Sequence, residues 1–308
     1  MFSFIKHRRI AYAFSGLLLL AGVISLLLFG LNLGIDFAGG TVFHLYLGEE
    51  FTLAQVEEAI APFPALQGAA LQVVQGRDLQ GNITDEGVVI KTAYIEEDLR
   101  DDILDALRAR WPGLDTNDLR VESVGGIVSG ELARQALLAL AVAIAAMVAY
   151  ISIRFEFKFA LATIAALLHD VLIVVGVFSI LRMEINVPFV AAILTVFGYS
   201  VNDTIVIIDR IRENIKHKRK DEYGEVVDQS IRQSLVRSLN TSLTTLIVLI
   251  ALLVGFHYFI GSLDLFVFIV ALIIGILIGT YSSIFIASPL WLNLKELEFR
   301  RSRRRKTT

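Results

Sequence analysis

Cysteine is absent from the 308 residues of this chain, which excludes disulfide bonds and thiol chemistry. Proline and histidine each occur only 5 times, and charged residues make up 19% of the sequence, against roughly 25% in globular proteins. So few histidines without cysteine argue against a metal cluster, and no phosphate-binding loop or paired nucleophile and base is present. We therefore predict that the chain is not an enzyme and holds no metal ion or cofactor.

Apolar sequence is abundant instead, at 55% of residues with a mean hydropathy of +0.66. It is concentrated in runs of about 20 residues, the length that crosses a hydrocarbon core roughly 30 Å thick. The six runs are Ile10–Gly30, Leu132–Ile153, Phe159–Leu181, Val187–Ile208, Leu239–Ile260 and Leu265–Leu292. This pattern predicts an α-helical polytopic membrane protein with six transmembrane helices. The first run is too long for a signal peptide and lacks a cleavage site, so we expect it to be a retained anchor.

The segment between the first two runs has a different character. Residues 31–131 hold 18 Asp or Glu against 6 Lys or Arg, a formal balance of −12. Alternation of apolar residues predicts strands at 39–47, 70–76, 87–95 and 118–125, with a turn around 80–87. Helical spacing predicts helices at 52–63, where Thr52 is an N-cap, and at 96–111. The order β-α-β-β-α-β predicts an α+β ferredoxin-like domain between transmembrane helices 1 and 2.

Basic residues indicate how the chain is oriented. Residues 1–9, 154–158, 210–238 and 293–308 together carry 20 of the 28 Lys and Arg. Because Lys and Arg favour the cytoplasmic side of a membrane, we expect both termini to be cytoplasmic. The predicted organisation is a cytoplasmic N-terminus with the first helix at 1–31, an extracytoplasmic domain at 32–131, helices two to six at 132–292 with a cytoplasmic loop at about 210–238, and a basic cytoplasmic tail at 293–308. The tail contains RRSRRRK, which would contact anionic lipid headgroups, and no nucleic-acid partner is expected.

A carboxylate inside the fourth run is the first candidate functional residue. In GYSVNDTIVIIDRIREN (198–214), Asp203 lies in apolar surroundings, where a charge costs roughly 2.5–3.5 kcal/mol on insertion scales. Such residues usually face the interior of a helix bundle or a water-filled path, and burial disfavours their charged form. Asp203 is therefore predicted to exchange protons. The alternative is that Asn202 and Asp203 only join helices by hydrogen bonds.

The fifth run supplies candidate neighbours for Asp203. Arg237 and Thr241 are four residues apart and share a helix face, and Asn240 adds polarity. A guanidinium beside Asp203 would hold the carboxylate ionised until the two move apart. Arg237 alone could equally be an ordinary interfacial charge.

Two further motifs are polar within apolar sequence. His169 and Asp170 lie in the third run, but adjacent residues point about 100° apart on a helix, so they need not act together. A packing role and a supporting role in a relay both stay open for them. Asp36 with Gly39 and Gly40 is expected to form a tight, non-helical turn from the first membrane helix into the first strand.

The motifs taken together resemble the SecF family. They are GIDFAGGT (34–41), VESVGGIVSGEL (121–132), RFEFKFAL (154–161), ALLHDV (166–171), GYSVNDTIVIIDRIREN (198–214) and RSLNTSLTTL (237–246). SecF proteins are the smaller partners of SecD in an accessory complex of the Sec translocon, within the resistance-nodulation-division superfamily. The resemblance departs from the family pattern at Gly126, where a proline is usual.

The resemblance implies that the chain uses the proton motive force to promote preprotein translocation across the bacterial cytoplasmic (inner) membrane. In family terms Asp203 corresponds to a proton-relay aspartate, with Arg237 and Thr241 as its neighbours. The implied partners are a SecD-like subunit, the SecYEG channel, the translocating preprotein, membrane lipids, and the proteins YajC and YidC. Two alternatives stay open, namely one half of a proton-coupled small-molecule or lipid exporter of the same superfamily, and a non-conducting translocon scaffold.

Overall fold

The computed structural model describes residues 3–47, 51–77, 83–114, 120–216, 218–219, 222–259 and 263–307. Its contacts divide the chain into two compact units. One consists of Met1–Asn32, Leu138–Leu252 and Asp264–Thr308, and the other of Leu33–Leu137 and Leu253–Leu263. The first unit contains most of the membrane-length helices and the second contains a mixed α+β fold.

The principal elements are named here in chain order. The helices are α1 (Arg8–Phe29), α2 (Leu53–Ile60), α3 (Glu97–Arg110), α4 (Gly126–Arg154), α5 (Phe157–Ile180), α6 (Val187–Ile215), α7 (Tyr223–Phe259), α8 (Leu263–Ser282) and α9 (Ser288–Thr307). The strands are β1 (Gly40–Tyr46), β2 (Ala70–Arg77), β3 (Ile83–Thr92) and β4 (Arg120–Val124). Short elements complete the order, namely the strands Asn32–Leu33 and Glu184–Ile185, a helical turn at Ile35–Ala38, a 3-10 turn at Pro64–Leu66 and a π-helical turn at Ser283–Ala287.

Within the described residues, six helical stretches are long and apolar enough to cross a membrane. They are α1, α4, α5, α6, Tyr223–Gly255 of α7, and Asp264–Phe299, which runs from α8 through the π-helical turn into α9. The prediction of six membrane helices from runs of apolar residues is therefore confirmed.

The helices extend further than the apolar runs that predicted them. The predicted loop at 210–238 is mostly helical, because α6 continues to Ile215 and α7 already begins at Tyr223. The basic tail at 293–308 is likewise helical as far as Thr307. Hydropathy falls where a chain leaves the apolar layer, which is why the predicted spans end there. Helical hydrogen bonding needs no apolar side chains, so a helix can continue into polar sequence beyond the membrane surface.

Helices α1 and α5 pack with their backbones in close contact at two glycines. A Cβ added at Gly22 would lie 2.9 Å from the Cα of Gly176, which leaves no space for any side chain. One turn further along, the hydroxyl groups of Ser25 and Ser179 are hydrogen-bonded at 2.8 Å. Small residues allow this approach, and the serine pair adds a polar contact that lipid cannot replace.

This packing predicts that Gly22→Val destabilises the chain. The new side chain would meet the backbone of Gly176, which cannot rotate away, so α1 and α5 must separate at a cost of about 1–3 kcal/mol. Gly16→Val is the matched control on the same helix, because no atom lies within 4 Å of a Cβ at Gly16. Thermal unfolding in detergent should show a lower midpoint for Gly22→Val only. Equal midpoints for the two variants would contradict this account of the helix pair.

Helices α6 and α8 are also brought together by glycine, and this contact positions the candidate site. A Cβ at Gly279 would lie 3.2 Å from the Cβ of Ser200, and a Cβ at Gly275 would overlap the side chain of Val196. The facing sides of α6 and α8 therefore approach closely at these two glycines. At its start, α6 is capped by Asn186, whose side chain accepts a hydrogen bond from the Phe189 N–H at 3.0 Å.

The α+β unit has the element order β1-α2-β2-β3-α3-β4 and one sheet with strand order β2-β3-β1-β4, in which all neighbours are antiparallel. The predicted strands and helices are present, but β3 begins at Ile83, so the turn predicted around 80–87 is wrong for its described part. Residues 78–82 and 115–119 lie outside the described part. Thr52 caps α2 as predicted, since its hydroxyl accepts from the Gln55 N–H and Gln55 bonds back to the Thr52 N–H.

The core of this unit lies between the sheet and its two helices. Alternate residues of β1 and β3 face it in register, with Phe43 opposite Ile90 and Leu45 opposite Val88. The helices add buried apolar residues, namely Val56 and Ile60 from α2 and Ile103, Leu104 and Leu107 from α3. Apolar residues recur at every second position in the strands and at about every fourth position in the helices, so each element buries one face.

Candidate functional site

Asp203 lies on α6 where this helix meets α7 and α8. Its side chain is only 5% exposed. The hydroxyl oxygens of Ser242 on α7 and Thr280 on α8 lie 3.4 and 3.5 Å from Oδ2 of Asp203, and the two hydroxyl groups are hydrogen-bonded to one another at 2.5 Å. The two bonds to the carboxyl group are longer than the usual 2.7–2.8 Å between hydroxyl and acceptor oxygens. Asp203 is therefore enclosed by hydroxyl groups without being held tightly by them.

A narrow crevice lies beside Asp203 and is too tight to admit a water molecule in this conformation. Its lining comes from the three helices, namely Tyr199, Ser200 and Asp203 from α6, Ser242 from α7, and Ile276, Gly279 and Thr280 from α8. The Tyr199 hydroxyl is hydrogen-bonded to Thr245 of α7 at 2.8 Å, which fixes one wall. The carboxyl group thus shares a tight gap with hydroxyl-bearing residues from all three helices.

Arg237 and Thr241 lie nearby on α7 but do not touch the carboxyl group. The charge of Arg237 acts on Asp203 at a distance, and no hydrogen bond or ion pair joins these two described residues. The Thr241 hydroxyl donates to the Arg237 carbonyl oxygen of its own helix at 2.9 Å. The hydroxyl that reaches Asp203 from α7 is that of Ser242, the next residue along. The predicted contact of Asp203 with Arg237 is thus absent from this conformation.

The predicted supporting residues divide into two groups. Asn202 and Asn240 are exposed on their helices and are not part of the crevice lining. His169 and Asp170 are buried, with exposed fractions of 7% and 0%, and are hydrogen-bonded to one another at 2.9 Å between Nδ1 and Oδ1. Adjacent residues on a helix point about 100° apart, but these two side chains are in direct contact, because the imidazole folds back onto the carboxyl group.

Helix α8 and the π-helical turn that follows it supply polar residues that the sequence interpretation missed. Thr280 lies beside Asp203, Ser282 donates to Oδ2 of Asp170 at 2.8 Å, and Ser283 is bonded to Thr204 at 2.8 Å. The sixth run contains little charge, so hydropathy gave it no functional weight. The four hydroxyl-bearing residues within GTYSS (279–283) are the signal that identifies it.

The junction motif lies in the α+β unit. Asp36 belongs to a single helical turn, Ile35–Ala38, so the expectation of a wholly non-helical turn is wrong. Gly39 ends this turn at a φ of 73°, a conformation that favours glycine. Gly40 then begins β1, where a Cβ would lie 2.6 Å from the Thr92 carbonyl oxygen. Each glycine is required by a different constraint, backbone angle at Gly39 and close strand contact at Gly40.

In the part of the chain that the structure describes, no group of three or more His, Asp or Glu residues is placed to hold a metal ion. The chemistry available at Asp203 is therefore that of a carboxyl group, hydroxyl groups and a nearby guanidinium. Such a set can bind, hold and release protons.

Comparison with known sequences shows which family the chain resembles. The family described as "Protein export membrane protein SecD/SecF, C-terminal" matches residues 106–297, and that described as "SecD/SecF GG Motif" matches residues 24–43, which include Gly39 and Gly40. A curated protein named "Protein translocase subunit SecF", from Sebaldella termitidis, is 38% identical over 290 residues, covering 92% of this chain and 89% of that protein. The chain belongs to the SecF family.

Fused relatives of this SecF-family chain are similar over their corresponding part. "Protein translocase subunit SecDF" from Bacillus subtilis is 38% identical over 301 residues, covering 97% of this chain and 39% of that protein. The crystal structure of SecDF, "a translocon-associated membrane protein" from Thermus thermophilus, matches with a TM-score of 0.79 and 33% identity, over 96% of this chain and 39% of that one. This SecF-family chain thus spans about two fifths of each fused protein and, like them, is a multi-pass membrane protein.

Proposed function

We propose that this chain is the SecF subunit of a Sec translocon accessory complex and uses the proton motive force to promote preprotein translocation. The names of its relatives, translocase subunits SecF and SecDF, support the role in export. The observation that supports proton coupling is the placement of Asp203. It is a nearly inaccessible carboxyl group that lies beside hydroxyl groups from two other membrane helices and lines a narrow crevice between them.

Asp203 couples a proton to helix movement through its contacts with α7 and α8. An ionised carboxylate attracts Arg237 and accepts a hydroxyl proton, whereas a protonated carboxyl group loses the attraction and can donate a proton itself. Protonation therefore changes which arrangement of α6, α7 and α8 is favoured. One charge that crosses 100 mV releases about 2.3 kcal/mol. This exceeds the roughly 1.4 kcal/mol that changes a population tenfold, so single protons suffice to bias the movement.

The predicted partner is a SecD-like subunit that supplies the other half of the membrane unit. This chain corresponds to 39% of a fused SecDF protein, which supports a SecD-like partner as the remainder of an equivalent complex. The complex acts with the SecYEG channel on a translocating preprotein in the bacterial cytoplasmic membrane, with YajC and YidC as further partners. The termini are cytoplasmic, which the 20 of 28 basic residues near the predicted cytoplasmic ends support.

We assign the α+β unit as an extracytoplasmic ferredoxin-like domain that contacts the preprotein. Its element order and its antiparallel strand order β2-β3-β1-β4 support the fold. Its position in the chain, between the first two of six candidate membrane helices, supports a location on the side opposite both termini.

Reconstitution tests this proposal against its alternatives. The chain, copurified with its SecD-like partner, is placed in lipid vesicles, and proton flux is measured under an imposed gradient. A photoreactive crosslinker is placed in turn along residues 40–125, and capture of a translocating preprotein is scored. Flux together with capture is expected. Flux without capture would favour an exporter of small molecules or lipids, and capture without flux would favour a scaffold that does not conduct protons.

A further inference from the structure

A second carboxyl group in the membrane region is more deeply buried than Asp203. Asp170 on α5 has no exposed surface, and three donors surround it. Its Oδ1 is 2.9 Å from Nδ1 of His169, and its Oδ2 accepts from Ser200 of α6 at 2.5 Å and from Ser282 of α8 at 2.8 Å. One acidic side chain thus joins three membrane helices, and the mechanism built on Asp203 gives it no part.

His169 has a free proton-binding atom. Its Nδ1 is occupied by Asp170, but its buried Nε2 has no hydrogen-bond partner in the described structure. Buried polar atoms are rarely left unpaired, and an exception calls for an explanation. A neutral imidazole that donates from Nδ1 leaves an acceptor at Nε2, where a proton can bind. The pair can therefore gain and lose a proton without breaking the bond that joins its two members.

Ser200 connects this pair with the Asp203 crevice. Its hydroxyl donates to Asp170, and the same residue lines the crevice with Asp203, which lies three positions along α6. Gly279 of α8 keeps this path narrow, since a Cβ there would lie 3.2 Å from the Ser200 Cβ. Ser200 thus lies between the buried pair and the crevice, and a hydroxyl can pass a proton by accepting one and releasing its own.

We propose that His169 and Asp170 form a second proton-binding site, which exchanges protons with the Asp203 crevice through the Ser200 hydroxyl. A proton on Oδ2 of Asp170 moves to Oγ of Ser200, and the proton already on that oxygen leaves to Asp203 across the crevice. Charge and protons balance, because Ser200 ends as it began. This inference rests on the proposed function and adds a proton store to it.

The titratable groups near the pair come from three other helices. They are Asp203 on α6, Tyr281 on α8, whose ring centre is 6.4 Å from that of His169, and Tyr12 on α1, which packs against the same cluster of buried residues as Tyr281. The Tyr281 hydroxyl is engaged with Ser15 at 3.1 Å and with the Ala11 carbonyl oxygen at 2.9 Å. Asp203 is thus the group among these with which the pair would exchange protons.

Infrared titration of the complex with its SecD-like partner in lipid tests the proposal. Protonated carboxylic acids give a C=O stretching band that ionisation removes. We expect two such bands to titrate independently, one lost in Asp170→Asn and the other in Asp203→Asn. Asp264→Asn is the matched control, since Asp264 is a half-buried carboxylate of the same unit bonded to Asn186 at 2.6 Å, and both bands should survive it.

Two variants that retain the Asp170 carboxyl group keep the test decisive if Asp170→Asn fails to fold. Ser200→Ala should shift the frequency of the Asp170 band and reduce proton flux about tenfold, because the connecting hydroxyl is gone. His169→Gln retains an N–H donor but removes the basic imidazole, so the midpoint of the Asp170 band should move by about one pH unit. A purely structural role would leave both the midpoint and the flux unchanged.

The outcomes separate this inference from the proposed function. If only the Asp203 band titrates and Ser200→Ala conducts normally, the pair is a structural link between helices and the proposed function stands. If neither band titrates and no flux is measured, the proposed function fails as well. A titrating Asp170 band that is insensitive to both Ser200→Ala and His169→Gln would overturn the exchange path.

Discussion

Asp203→Asn is expected to reduce preprotein export to the level seen without a proton gradient, with no loss of the assembled complex. The amide has nearly the same size as the carboxyl group and can accept from Ser242 and Thr280, so the packing of α6 against α7 and α8 should survive. It cannot bind or release a proton, so the gradient has nothing to act upon at this position. Export of a reporter preprotein into vesicles, with and without an imposed gradient, measures the effect.

Asp209→Asn is the control for this prediction. Asp209 is on the same helix, but its side chain is 39% exposed and forms an ion pair with Arg154 at 3.5 Å. Exposed ion pairs contribute about 0–1 kcal/mol, so this variant should retain both stability and gradient-driven export. Gradient-driven export by Asp203→Asn at the rate of the unmodified chain would exclude a proton role for Asp203, however well buried it is.

The number and position of the membrane helices could be predicted because the bilayer imposes a simple requirement on sequence. Each span needs about 20 apolar residues, and six such runs became six candidate spans. The helix ends could not be predicted, as α7 shows. It begins at Tyr223, sixteen residues before the apolar run that starts at Leu239. That early part buries Val226, Val227 and Ile231 within the protein, a constraint that hydropathy does not register.

The burial of Asp203 could be predicted, but its neighbours could not. A charged group in an apolar run must avoid lipid, and this argument needs no knowledge of packing. Which hydroxyl meets it depends on the rotation of α7, and neighbouring positions on a helix differ by about 100°. Thr241 was predicted and Ser242 makes the contact, a difference of one residue. Thr280 comes from a helix far along the chain, and its contact depends on how closely α8 approaches α6.

The second large effect is expected for Gly275→Val, which changes how closely α8 approaches α6. Gly275 lies against Val196 so closely that even a Cβ would overlap the valine side chain, and the β-carbon of Val196 itself would be 3.1 Å away. A larger residue must push α8 away from α6. Thr280, just over one turn further along α8, would then lose Asp203. We expect a destabilisation of about 1–3 kcal/mol and loss of gradient-driven export, although Asp203 is unchanged.

The absence of cysteine from the chain allows this displacement to be measured directly. In the variant Ser200→Cys, Gly279→Cys, the two β-carbons would lie about 3.2 Å apart, so a movement of a few tenths of an ångström brings them into the range of roughly 3.5–4.5 Å in which a disulfide forms. Oxidation should crosslink α6 to α8 in this background, and adding Gly275→Val should reduce the yield severalfold.

Gly198→Val is the control, because no atom lies within 4 Å of a Cβ at Gly198 on α6. A full crosslink yield with Gly275→Val, combined with lost export, would mean that the glycine acts by some route other than the spacing of these helices. Lost crosslinking with normal export would mean that Thr280 is not needed beside Asp203.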